Sequence, residues 1–151
     1  MKAIVALGAN LDQPQSALEL AIALLREATD VIALSSFYIT KPVGGPVQPD
    51  YLNAVAIIES DLPALELLHL LQGIEKSMGR IRVEKWGPRV IDLDLISYGS
   101  ILSQAEELTL PHPRAHERRF VLEPWLEIDP EAHLLTHGLV SEILQQLPLA
   151  K

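Results

Sequence analysis

Hydrophobic and polar positions along this chain fall into blocks, and the spacing inside each block predicts an element. "AIVAL" (Ala3 to Leu7) is a short apolar run that stops at Gly8, which reads as a strand. "NLDQPQSALELAIALLREAT" follows, with Leu18, Ala21, Ile22 and Leu25 at helical spacing. Asp12 or Gln13 is its expected cap, and Pro14 lies in its first turn. "VIALSSFYIT" (Val31 to Thr40) is rich in β-formers and predicts a second strand, and "KPVGGPVQPD" (Lys41 to Asp50) predicts a loop. Tyr51 to Ser60 predicts a third strand, with Tyr51, Asn53, Val55 and Ile57 on one face and Leu52, Ala54, Ala56 and Ile58 on the other. A second helix, "DLPALELLHLLQGIEKSMG", is capped at Asp61 or Leu62, begins with Pro63 and ends at Gly79. The polar loop "RIRVEKWGP" then leads into a fourth strand, "RVIDLDLISYG".

This β-α-β-β-α-β order predicts an α+β fold: a ferredoxin-like, split β-α-β sandwich with an antiparallel sheet and helices packed on it. Beyond Gly99 the pattern weakens into a C-terminal extension. "LTLPHPRAHERRFVLEPWLEI" is broken by Pro111, Pro113 and Pro124, and "GLVSEILQQL" predicts a terminal helix. With no internal repeat or composition break, residues 1–151 read as a single domain.

Composition narrows the class. A content of 48% hydrophobic and 21% charged residues is that of a soluble globular protein. No apolar run approaches a membrane span, and the apolar stretch at the start is too short for a secretion signal. The absence of cysteine removes thiolate metal sites and disulfides, and the expectation is a cytoplasmic protein with no membrane partner. A net charge of −8 argues against a nucleic-acid surface. Yet eight of the twelve Lys and Arg lie in two windows: Lys76, Arg80, Arg82, Lys85 and Arg89, then Arg114, Arg118 and Arg119. They form either a compact anion site or two solvated basic loops.

Asp92 and Asp94 interrupt an otherwise apolar strand. Residues two apart on a strand share a face, with Cα atoms about 6.5 Å apart, so the two carboxylates point one way while Ile91, Leu93 and Leu95 face the helices. Two carboxylates so placed suit Mg²⁺, which fills its remaining positions with water and phosphate oxygens. Ordinary solvated acids on an edge strand would look the same. The arginines at both ends of the preceding loop favour the metal reading, because guanidinium groups bind phosphate bidentately. No G-x-x-x-x-G-K-[ST] loop occurs. His112/His116 and His133/His137 have i, i+4 spacing, but Pro113 and Gly138 argue against firm helical zinc sites. Tyr51 and Asn53 on one strand face, with Thr40 closing the preceding strand, suit either a flat heterocycle or an ordinary strand boundary.

Together, "ALGANL", "SSFYITKPVGGPVQPDYLNAV", "IEKSMGRIR", "KWGPRVIDLDLISYG" and "LTLPHPRAHERRFVLEPWLEI" resemble the 6-hydroxymethyl-7,8-dihydropterin pyrophosphokinases of folate biosynthesis, in order across nearly the whole chain. The resemblance implies transfer of pyrophosphate from ATP to the pterin's hydroxymethyl group, leaving AMP. It implies two Mg²⁺ ions held by Asp92 and Asp94, with Arg80 and Arg89 as further catalytic groups. On the ATP side it implies Gln72, Glu75, Arg80, Arg82, Trp86, Arg89, Leu95, Thr109, His112 and Arg118. The implied pterin pocket is Thr40, Val43, Tyr51, Asn53, Trp86 and Phe120, with Tyr51 and Phe120 stacking on the ring. The segment around Arg82 corresponds to the family's mobile lid and is one residue shorter than in some relatives. A chain with no second enzyme of the pathway fused to it, and a monomer, are expected. The alternative is a non-catalytic small-molecule-binding or RNA-binding module of the same fold; the acidic charge and the lack of an "RGFGFV"-like strand count against RNA.

Overall fold

In the computed structural model, which describes residues 1–10, 13–41, 47–79 and 90–148, a central antiparallel sheet carries helices on both faces. β1 (Lys2–Ala9) leads into α1 (Pro14–Ala28), whose buried stripe is Ala17, Leu18, Ala21, Ile22 and Leu25. Gln13 holds the cap position in a left-handed conformation with no side-chain capping bond; the other expected cap, Asp12, lies outside the described residues. α2 (Ala64–Ser77) starts after Pro63, which occupies the cap position instead of Asp61 or Leu62, and is followed by Gly79 at φ 77°.

The strand expected over 31–40 is two strands, β2 (Asp30–Leu34) and β3 (Tyr38–Thr40), both paired with β4 (Tyr51–Glu59). The break has a local cause. Ser35 donates its N–H to the Val55 carbonyl at 2.9 Å, and its hydroxyl accepts the Val55 N–H at 2.9 Å. A side chain thus replaces a backbone acceptor, and the regular ladder stops there. The last strand of this sheet, β5 (Asp92–Tyr98), is shorter than "RVIDLDLISYG".

Strand order is β2–β4–β1–β5, with β3 beside β2 on β4, so the two strands flanking each helix are not neighbours. This is the split β-α-β arrangement. β1 and β4 register Gly8 against Asn53 and Ala6 against Val55; β1 and β5 register Gly8 against Asp92 and Ala6 against Asp94. Between Ile4 and Val5 the pairing slips, so Ile96 becomes an extra residue in β5. The slip lets Ile96 stay on the aspartate face while Tyr98, two residues on, packs on the opposite one.

That opposite face holds the first core. Val5, Leu7, Ile58, Leu93 and Leu95 pack there against Leu18 and Leu25 of α1 and Leu67 and Leu71 of α2. The C-terminal segment builds a second core on the aspartate face. After the two-residue strands β6 (Ser103–Gln104) and β7 (Thr109–Leu110) and a 3₁₀ turn at Ala115–Glu117, α3 (Arg119–Ile128) packs Val121, Leu122 and Trp125 on Ile4, Val55, Ile57 and Ile96. β8 (His133–Leu134), β9 (Gly138–Leu139) and α4 (Val140–Gln146) complete this layer. Among the described residues no helix is long and apolar enough to cross a membrane.

Candidate active site

The C-terminal layer covers only part of its face, and the remainder is where the polar residues lie. Directly opposed residues of an antiparallel sheet share a face. One row therefore runs Asp92 (β5), Gly8 (β1), Asn53 (β4), Tyr38 (β3), and the next runs Asp94, Ala6, Val55. With strands about 4.8 Å apart, the Asp92 carboxylate and the Asn53 amide sit roughly 10 Å from each other across Gly8.

Small residues keep the floor of this face low. A Cβ on Gly8 would lie 2.9 Å from Asn53 Oδ1 and 3.7 Å from Tyr51 Cδ1, so these side chains lean over the glycine. Asn53 is buried, and its Nδ2 donates a short hydrogen bond to Thr40 Oγ1. That bond leaves Asn53 Oδ1 as the acceptor facing the floor.

The aspartates are half-buried, as their alternation on β5 requires. Arg118, at the start of α3, places Nη1 3.7 Å from Asp94 Oδ2 and its guanidinium carbon 5.5 Å from the centre of the Phe120 ring. It thus links the carboxylates to the aromatic residue expected in the pterin pocket. His112 reaches the same face because its N–H donates to the Ile96 carbonyl of β5 at 2.8 Å. Burial, aided by Arg118 and Arg114 and opposed by Asp92, pushes His112 down to about 4. It is therefore neutral near pH 7, and because Nδ1 accepts the Arg114 N–H at 3.2 Å, the ring proton is assigned to Nε2 as a donor.

Glu75 reaches β5 from the other side. Its buried carboxylate accepts the Leu93 N–H at 2.8 Å, so α2 occupies the strand edge beside the aspartates. Gln72 is exposed one turn earlier on α2, and Thr109 is half-buried with its hydroxyl donating to Ala105 O at 3.3 Å. Leu95 is not brought to this face: it lies between the two inward positions Leu93 and Tyr98 and packs in the first core. Val43, Arg80, Arg82, Trp86 and Arg89 lie outside the described residues.

Among the described residues no group of three or more His, Asp or Glu could hold a metal ion by itself. Two aspartates facing small residues on β1 still fit Mg²⁺, which takes most of its oxygens from phosphate and water. They do not form a site of the zinc kind. His116 stacks on His137 with ring centres 4.2 Å apart and planes 18° apart, so the rings lie face to face rather than aiming nitrogens at a common point.

Sequence reasoning assigned no role to Asn10, Gly8 or Glu127. Asn10, almost fully buried, donates to Gln48 Oε1 at 2.7 Å and to Pro49 O at 2.9 Å, tying the end of β1 to the segment before β4. The one signal available was a polar residue directly after an apolar strand. Nothing local marks Glu127, whose partners are Ser36 and Tyr38, about ninety residues away in sequence.

The family model described as 7,8-dihydro-6-hydroxymethylpterin-pyrophosphokinase (HPPK) matches residues 4–130. The chain is 42% identical over 146 residues to 2-amino-4-hydroxy-6-hydroxymethyldihydropteridine pyrophosphokinase of Haemophilus influenzae, covering 95% of this chain and 91% of that protein. It is 36% identical over 146 residues to the Pseudomonas aeruginosa protein of the same name, covering 95% and 90%. The fold superposes on a crystal structure of HPPK-DHPS in complex with substrates with a TM-score of 0.74 and 14% identity, over 95% of this chain. A Plasmodium falciparum HPPK-DHPS structure with pterin and p-hydroxybenzoate gives 0.72 and 15%, over 96% of this chain. The chain spans 43% of the length of each of these two structures.

Proposed function

The chain belongs to the 7,8-dihydro-6-hydroxymethylpterin-pyrophosphokinase family, and on that basis we propose a division of labour across its polar sheet face. The protein is an ATP-dependent pyrophosphokinase of folate biosynthesis: it transfers pyrophosphate from ATP to the hydroxymethyl group of 6-hydroxymethyl-7,8-dihydropterin, and AMP leaves. The observation that carries the division is the row Asp92–Gly8–Asn53, in which the two polar residues stand on the strands either side of β1.

At one end, Asp92 and Asp94 would hold two Mg²⁺ ions, which when bound would offset charge on the phosphate oxygens and ease loss of the hydroxyl proton. Arg118 steadies Asp94, and neutral His112 offers an N–H to nucleotide oxygens. Arg80 and Arg89 meet the charge that grows on the transferred group, with Arg82 and Trp86 of the same segment, Gln72, Glu75 and Thr109 on the nucleotide side. At the other end, Asn53 Oδ1 accepts from a ring N–H of the pterin while Thr40 holds the amide in that orientation. Tyr51 and Phe120 stack on the ring, with Val43 and Trp86 completing the pocket. The protein works as one domain over residues 1–151, a cytoplasmic monomer that takes up neither nucleic acid nor membrane.

The test is a coupled assay of AMP release with ATP, Mg²⁺ and the reduced pterin. Asp92→Ala and Asp94→Ala should each lose transfer by several orders of magnitude while the fold survives, as read by an intact cooperative melting transition. Near-normal turnover by either variant in Mg²⁺ would refute the metal-ligand assignment.

A further inference from the structure

β3 is a three-residue strand, and its ladder to β4 runs only over Tyr38–Asn53, Ile39–Leu52 and Thr40–Tyr51. So short a strand next to a break is weakly held by its own backbone bonds. Yet Thr40, its last residue, is the acceptor that orients the Asn53 amide. What holds β3 in place therefore decides which way the amide faces.

The holding group comes from the other layer. Near the end of α3, the Glu127 carboxylate receives three donors from Ser36 and Tyr38, at and just before the start of β3. Ser36 N–H reaches Oε2 at 3.0 Å and Oε1 at 3.2 Å, the Ser36 hydroxyl donates to Oε2 at 2.8 Å, and the Tyr38 hydroxyl donates to Oε1 at 2.6 Å. Exposed carboxylates seldom collect three donors from one segment, and hydrogen bonds to a charged acceptor are the stronger kind. Tyr38 sits directly across from Asn53 on the same face, so this clamp is one strand away from the amide. The phenol beside the carboxylate is pushed up to about 12 and the carboxyl is held low, so donor and acceptor keep their roles at neutral pH.

We propose that Glu127 is a positioning residue for the pterin, acting through Ser36 and Tyr38 on β3 and through Thr40 on Asn53. This rests on the assignment of Asn53 to the pterin pocket. Glu127→Gln keeps the shape but removes one of the two acceptor oxygens, and Tyr38→Phe removes a single bond. In the full-length protein, Glu127→Gln should raise the pterin KM about tenfold, as expected for loss of a bond worth 1.4 kcal/mol. The ATP dissociation constant and kcat should stay within about twofold. Tyr38→Phe should show a smaller rise of the same kind. Combined with Thr40→Val, Glu127→Gln should add little to the effect of Thr40→Val alone, because both act on one amide. A lower melting temperature with pterin KM unchanged would mean a purely structural clamp and would overturn the proposal. So would an equal loss for both substrates, or full additivity with Thr40→Val. A wild-type protein with no pterin affinity would instead overturn the pocket assignment beneath it.

Discussion

Gly8 is where one methyl group would act most directly on the site. A Cβ there meets Asn53 Oδ1 at 2.9 Å, and that amide is already tethered to Thr40. Gly8→Ala should therefore turn the amide and weaken pterin binding about tenfold, the loss of roughly one hydrogen bond, while ATP affinity holds. Calorimetry with each substrate reads both constants, and unchanged pterin affinity would remove Gly8 from the floor of the pocket. His112 makes a different kind of prediction. Its folded value of about 4 lies below the unfolded 6.5, so protons bind the unfolded chain more readily. The stability tied to this group is complete above pH 6.5 and drains away as pH falls toward 4. His112→Gln in the ligand-free protein should flatten the urea-midpoint profile across that window, and an unchanged slope would contradict the buried neutral ring.

At the scale of elements, the edge of β5 is the point of weakness. β1 covers one side of the strand, and α2 supplies Glu75 to the Leu93 N–H on the other. Glu75→Ala would leave that buried donor unpaired, costing about 1–3 kcal/mol. Amide exchange at Leu93 should quicken far more than at Leu7 or Ile58, and equal protection in variant and wild type would show that Glu75 does not brace the edge. Helices were the elements most legible from pattern, because the apolar stripe Leu18, Ala21, Ile22, Leu25 has one way to face inward. The split of residues 31–40 was not, since it depends on Ser35 meeting Val55, twenty residues on.

The whole molecule depends on two cores sharing one sheet, and the second is built by the segment whose pattern was weakest. Leu122 is fully buried in it, and Leu122→Ala should cost about 2–5 kcal/mol by urea unfolding. Because α3 carries Phe120 and Glu127 and Arg118 occupies its N-cap position, that loosening should reduce turnover along with stability; full activity at much lower stability would uncouple the layer from the site. Alternation alone determined that Asp92 and Asp94 share a face and that Tyr51 and Asn53 share one, because side chains on any strand repeat every two residues. The order of segments likewise determined the α+β arrangement. Which residues those faces meet was decided only in three dimensions. Gly8 lies between Asp92 and Asn53, and Glu127 reaches Tyr38, because β1 inserts between strands distant in sequence and the C-terminal layer folds back over them. Register and layer contacts are set by non-local pairing, of which a local two-residue repeat carries no record.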